Sequence, residues 1–147
     1  MSGLDEFKER YRRSLQAFIE GDPEPNKRLW SRQDDVTLAN PVGPPAKGLT
    51  RVFEAMDRAA GMTREGEGLT LDVISSYESA DLAYEVAIQG GRMKLGDSPD
   101  MTPLSLRVTS IFRREDDGWK LVHRHADPIT EQRPPESLVQ STGGPPS

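Results

Sequence analysis

Apolar residues recur every three or four positions in the first part of the chain and every second position in the last part, which predicts helices first and a sheet afterwards. Leu4, Phe7, Tyr11, Leu15, Phe18 and Ile19 fall on one stripe of an amphipathic helix, with Lys8, Arg12 and Glu20 on its other sides. Gly21-Asp22-Pro23 ends it, because glycine accepts a left-handed cap and proline cannot continue the helix. A short second helix is predicted from 25 to about 31, burying Leu29 and Trp30. Residues 35–40 (DVTLAN) have the β-branched content of a short strand, and Pro41-Val42-Gly43-Pro44-Pro45 forms a rigid loop after it. Val52, Phe53, Met56, Ala59 and Ala60 return to the helical period, giving a third helix over 49–60 that Gly61 ends.

Beyond this point the period is two. Leu69, Leu71 and Val73 alternate with Thr70, Asp72 and Ile74, a turn follows at 79–81, and a second strand runs from 82 to about 92. The polar stretch 94–100 reads as a loop and 102–114 as a long strand. Asp116-Asp117-Gly118 is a tight-turn signal that pairs 119–127 antiparallel with the strand before it. Three helices followed by four consecutive antiparallel strands make an α+β domain in which the helices cover one face of a strongly curved, mostly antiparallel sheet and leave a pocket. From about residue 130 the sequence is rich in Pro, Gly and Ser and loses all periodicity, so the expected division is a domain over 1–129 and a disordered tail over 130–147.

Composition narrows the chemistry. A length of 147 residues with 34% hydrophobic side chains suits one core and not two. The net charge of −5 disfavours phosphate backbones and anionic lipid, so neither nucleic acid nor a membrane is an expected partner. There is no cysteine, which excludes disulfides, thiolate nucleophiles and Cys-based metal centres. Charges interrupt every apolar stretch of the first residues, so no signal-peptide core is present and a cytoplasmic location is expected.

The ionisable groups left for function gather at the end of the last strand. His123, His125 and Asp127 are spaced by two, so they share one side of the sheet and could all enter the hollow. Trp119 and Leu121 have the same parity, so that face would run from apolar to ionisable along the strand. Counting back through the turn sets Arg107 opposite His125 to Asp127. An Arg beside Asp127 would keep the carboxylate ionised, and Asp127 beside His125 would favour imidazolium. The competing account is a salt bridge that ties two strands together. His125 and Asp127 are the catalytic candidates; Arg107, Asn40, Trp30, Tyr84 and His123 are the candidates for binding substrate, with His123 weighed against a role as core. A His-x-His strand can contribute to a zinc site, but no third histidine exists, so no metal and no cofactor are expected. Arg12, Arg13, Arg113 and Arg114 have acids nearby and read as solvated faces.

The order of elements, the segment Trp30…Asp34-Asp35-Val36-Thr37-Leu38-Ala39-Asn40-Pro41 with Gly43 and Gly48, and the ending LRVTSIFRREDDGWKLVHRHAD resemble the SnoaL-like group of the nuclear transport factor two-like superfamily. That resemblance implies a cone-shaped domain, a ligand pocket and a homodimer paired through the open sheet face, for which Leu104, Leu106 and Val108 are the candidate apolar residues. The superfamily includes ketosteroid isomerases, whose Asp base and Tyr and Asp oxyanion-hole residues would fall on Asn40, Ser14 and about Ser105; none of the three matches and the Asn40 amide cannot serve as a base, so isomerisation by that mechanism is rejected. Two function classes remain. One is a cofactor-independent isomerase, cyclase or hydratase acting on a small, partly apolar metabolite. The other is a non-catalytic ligand-binding or dimerisation module.

Overall fold

The computed structural model describes residues 3–139. Helix α1 (Gly3–Ile19) buries Leu4, Phe7, Tyr11, Leu15 and Ile19, the stripe that its period predicts. It packs over the concave side of the sheet against the two strands given below as β3 and β6. Helix α2 (Glu24–Lys27) is shorter than its sequence suggests. The backbone of residues 29–31 leaves the helix to bond with Leu121: the Leu121 amide donates to the Leu29 carbonyl at 2.8 Å and the Ser31 amide to the Leu121 carbonyl at 3.0 Å. Helix α3 (Leu49–Ala60) has the predicted bounds. Its first amide, on Leu49, donates to Asp34 Oδ1 at 3.1 Å, so a carboxylate from the preceding segment caps it.

The six strands are β1 (Thr37–Ala39), β2 (Ala46–Lys47), β3 (Thr63–Glu78), β4 (Leu82–Leu95), β5 (Met101–Glu115) and β6 (Gly118–Asp127), in the order β2-β1-β6-β5-β4-β3. All pairs are antiparallel except β1 with β6. The sheet is curved and does not close. The two-residue strand β2 follows the proline loop and was not legible in the sequence. Strand β3 starts six residues before the alternation at Leu69. Its opening TREGEG carries two register shifts and lies at the sheet edge, so it lacks the apolar alternation that marks a strand from sequence. In the tail, residues 135–138 form one exposed 3-10 turn, and 140–147 lie outside the described residues.

A bulge in β6 sets which residues face the hollow. Leu121 pairs with Phe112 and His123 with Ile111, so Val122 is an extra residue on β6 and both Leu121 and Val122 are buried. The parity read from the sequence breaks there. Leu121 faces the core, whereas His123, His125 and Asp127 face the convex side, and Arg124 and Ala126 take the concave side. Leu104 and Leu106, expected on the exposed face, also line the concave side, and Val108 is buried in it.

Candidate functional site

Between the sheet and the three helices lies a cavity of about 500 Å³. Its wall is apolar: Leu15, Phe18 and Ile19 come from α1, Met56 and Ala59 from α3, Leu38 from β1, Met93 from β4, and Leu104 and Leu106 from β5. The polar groups on it are few, namely Asn26, Asn40, Thr63, Gln89 and Arg124. Among the described lining residues Arg124 is the one charged side chain.

Those polar groups are fixed from behind by buried partners. Arg124 Nη1 donates to the Tyr11 hydroxyl at 2.7 Å and Nη2 to Gln89 Oε1 at 2.7 Å. The Tyr11 hydroxyl also shares a 2.6 Å hydrogen bond with Ser110 Oγ, and the Arg124 guanidinium lies over the Tyr11 ring, 6.0 Å from its centroid. A second chain of bonds runs from Trp30 Nε1 to Asn26 Oδ1 at 3.0 Å, from Asn26 Nδ2 to Ser14 Oγ at 2.9 Å, and from Ser14 Oγ to the Tyr11 carbonyl at 2.6 Å. Every buried side-chain polar atom among the described residues has a partner, so the floor is held rigidly in place. At the mouth, Asn40 Oδ1 accepts the Val42 amide at 3.2 Å, which engages its oxygen and leaves Nδ2 without a partner among the described residues.

Of the residues singled out from the sequence, Trp30 and Asn40 line this cavity. The other five lie together on the convex face. Arg107 Nε donates to Asp127 Oδ1 at 2.7 Å, and His125 Nε2 lies 3.3 Å from Asp127 Oδ2. Burial raises the Asp127 pKa, but Arg107, the Ile129 amide and the neighbouring charges outweigh it, so the carboxyl is held below its ordinary range. The Arg107 and His125 side chains are 56% and 51% exposed, which keeps this triad in contact with solvent. His123 shares a 2.7 Å hydrogen bond between Nδ1 and Thr37 Oγ1. Desolvation lowers its pKa, as does the charge of His125, against a smaller opposing effect of Thr37. Tyr84 is 41% exposed and stacks on Tyr77 with ring centroids 6.1 Å apart. Pairing across the strands sets Tyr77, Tyr84, Ile111 and His123 in one row.

Sequence reasoning missed Arg124 and Gln89. The signal was there in β4, where Ala83, Glu85, Ala87 and Gln89 alternate with Tyr84, Val86 and Ile88. The bulky apolar set faces outward and the small and polar set faces the helices, the reverse of the usual rule. Arg113, read as solvated, instead forms a two-point pair with Asp35 at 2.7 and 3.0 Å and reaches Glu115 and Ser31.

A helix-covered, curved sheet around an apolar cavity with a small polar floor defines an α+β pocket protein. The chain belongs to the SnoaL-like domain family, whose model matches residues 8–130. Its fold is shared with a nuclear transport factor 2 superfamily protein from Salmonella enterica serovar Typhimurium (18% identity, 89% of this chain and 92% of that one, TM-score 0.71). It is shared too with a ketosteroid isomerase-like protein from Erwinia carotovora atroseptica (18% identity, 85% and 95%, TM-score 0.69). A cystatin-like-fold protein from Novosphingobium aromaticivorans is similar over 94% of this chain and 92% of its own (19% identity, TM-score 0.61). No curated protein matches the chain. No described helix is long and apolar enough to cross a membrane.

Proposed function

We propose that this protein binds a small, largely apolar molecule in the cone and does so without turning it over. The cavity carries the reading: about 500 Å³ falls within the ~300–1,000 Å³ of small-molecule sites, and an apolar wall with a few fixed polar groups is the composition such sites have. Turnover by proton transfer needs a group that changes protonation beside the ligand. The polar side chains on the described lining are amides, a hydroxyl and a guanidinium, with no carboxylate and no imidazole among them. His125 and Asp127 are on the far side of the sheet, where with Arg107 they serve as a surface cluster.

The test uses a neutral probe, phenylnaphthylamine, whose fluorescence rises in apolar surroundings. The wild type is expected to bind it saturably, and Leu104→Trp, which fills the cavity from β5, is expected to lose that binding while its thermal unfolding stays cooperative. Equal dye binding by both proteins would place the dye elsewhere and sink the reading.

The convex face supports a second element. Tyr77 and Tyr84 are 60% and 41% exposed and continue into Ile111 along one row of the sheet. Large apolar side chains set side by side on an exposed sheet are a feature of association surfaces, and we propose that two copies pair through this face.

A further inference from the structure

We infer that the cavity selects an anionic ligand, a monocarboxylate with an apolar body whose head group is held by Arg124. The inference rests on the reading of the cone as a small-molecule pocket and names the class of ligand.

Arg124 is half-buried on the floor of an apolar cavity, and its hydrogen-bond partners among the described residues are neutral: the Tyr11 hydroxyl and the Gln89 amide oxygen. These occupy two of the five N–H donors of a guanidinium. No carboxylate of the described residues lies within ion-pair distance of it. The inward-facing acid in its cross-strand row is Glu85, which pairs through Ser110 to Arg124 in the sheet register. Glu85 is buried, with Lys8 of α1 as its ion-pair partner at 3.5 Å, and Ser110 is bonded to Tyr11. The acid of the row thus has its own cation, and the cation of the cavity has no acid.

A guanidinium drawn partly out of water without a counter-charge is costly, and it is retained where an anion completes it. Its planar fork matches a carboxylate in a two-point geometry that a Lys could not provide. Tyr11 and Gln89 hold the fork from behind, so its orientation is fixed before a ligand arrives. The ligand body has to be apolar, since the side chains around the head-group position are Leu38, Leu106 and Ala126 and the walls above are aliphatic or aromatic. Trp30 borders the same cavity, its indole fixed by Asn26, and reports occupancy by its fluorescence.

The experiment titrates the full chain with three matched series, hexanoate to dodecanoate, the corresponding primary alcohols and the corresponding primary amines, at neutral pH, by calorimetry and, with Trp119→Phe leaving Trp30 as the one tryptophan, by fluorescence. Carboxylates are expected to bind roughly 10- to 100-fold more tightly than alcohols of equal length, the usual margin of a charge-assisted over a neutral head-group contact, and amines not measurably. In Arg124→Gln that margin is expected to vanish while the alcohols still bind. Because the wild-type ratio is read by calorimetry without any variant, failure of Arg124→Gln to fold leaves the test standing. Alcohols binding as tightly as carboxylates would overturn the anion assignment and leave the pocket reading intact. If none of the three series binds, the pocket reading fails and this inference fails with it.

Discussion

At residue 66 the chain has no room for a side chain. A β-carbon on Gly66 would overlap the carbonyl and side chain of Ile19, where the end of α1 rests on β3. Because the obstacle includes backbone, Gly66→Ala is expected to destabilise the protein by about 3 kcal/mol, the upper end for overpacking. By calorimetry that is a Tm lower by roughly 6–12 °C. His123 makes a prediction of a different kind. Desolvation and the nearby His125 hold its pKa below that of a free imidazole, so the unfolded chain takes up its proton first. Its contribution to stability is therefore present above about pH 6.5 and is lost as the pH falls through the folded pKa. Denaturant midpoints measured from pH 7.5 down to 5 should fall more steeply for the wild type than for His123→Gln; parallel curves would show that His123 does not drive the loss. These effects depend on neighbours: the glycine and the histidine are visible in the sequence, but Ile19 and Thr37 are brought to them by the fold.

Elements were more legible than residues. The stripe of α1, the bounds of α3 and the Asp116–Gly118 turn follow from spacing and turn chemistry, which act over a few residues, and spacing alone was enough to find them. Leu29–Ser31 escaped because their backbone groups bond to Leu121, about ninety positions away in the chain. The bulge at Val122 escaped for a related reason: alternation along one strand cannot reveal an unpaired residue, since the pairing partner defines it. Its consequence is testable. Deleting Val122 removes the extra residue and keeps the register on either side of it, so Arg124 stays opposite Ser110 on the concave side and the two histidines stay on the convex side. The expected result is a variant less stable for want of the buried Val122 side chain that still unfolds cooperatively and still binds ligand, seen by circular dichroism and tryptophan fluorescence. A deletion variant that folded with Arg124 turned outward would refute this account of the bulge. Asp34→Ala, which removes the cap from α3, is expected to cost about 1 kcal/mol by chemical denaturation, with the cavity unchanged.

For the whole molecule, the two faces of the sheet have different compositions for different reasons. The concave face carries Gln89, Ala87 and Ala126, small or polar residues that leave space under the helices, and its volume is closed by Leu, Phe and Met side chains from several elements. The convex face carries Tyr77, Tyr84, Val86, Ile88 and Ile111 next to the Arg107–Asp127–His125 cluster. If that face pairs two copies, Tyr84→Glu places two like charges near each other in the interface. Light scattering after gel filtration is then expected to show the wild-type mass halved, with ligand affinity within about twofold of wild type. An unchanged mass would remove the pairing proposal without touching the cavity.

The sequence alone determined the helix-then-sheet order, the family resemblance and the absence of thiol chemistry, because period, composition and local motifs are properties of the chain itself. Only the tertiary structure decided that Trp30 and Asn40 share a cavity with Arg124 and Gln89, while His123, His125, Asp127, Arg107 and Tyr84 lie on the opposite face. A face is assigned by the register between strands, and one extra residue at Val122 was enough to exchange the histidines for the arginine.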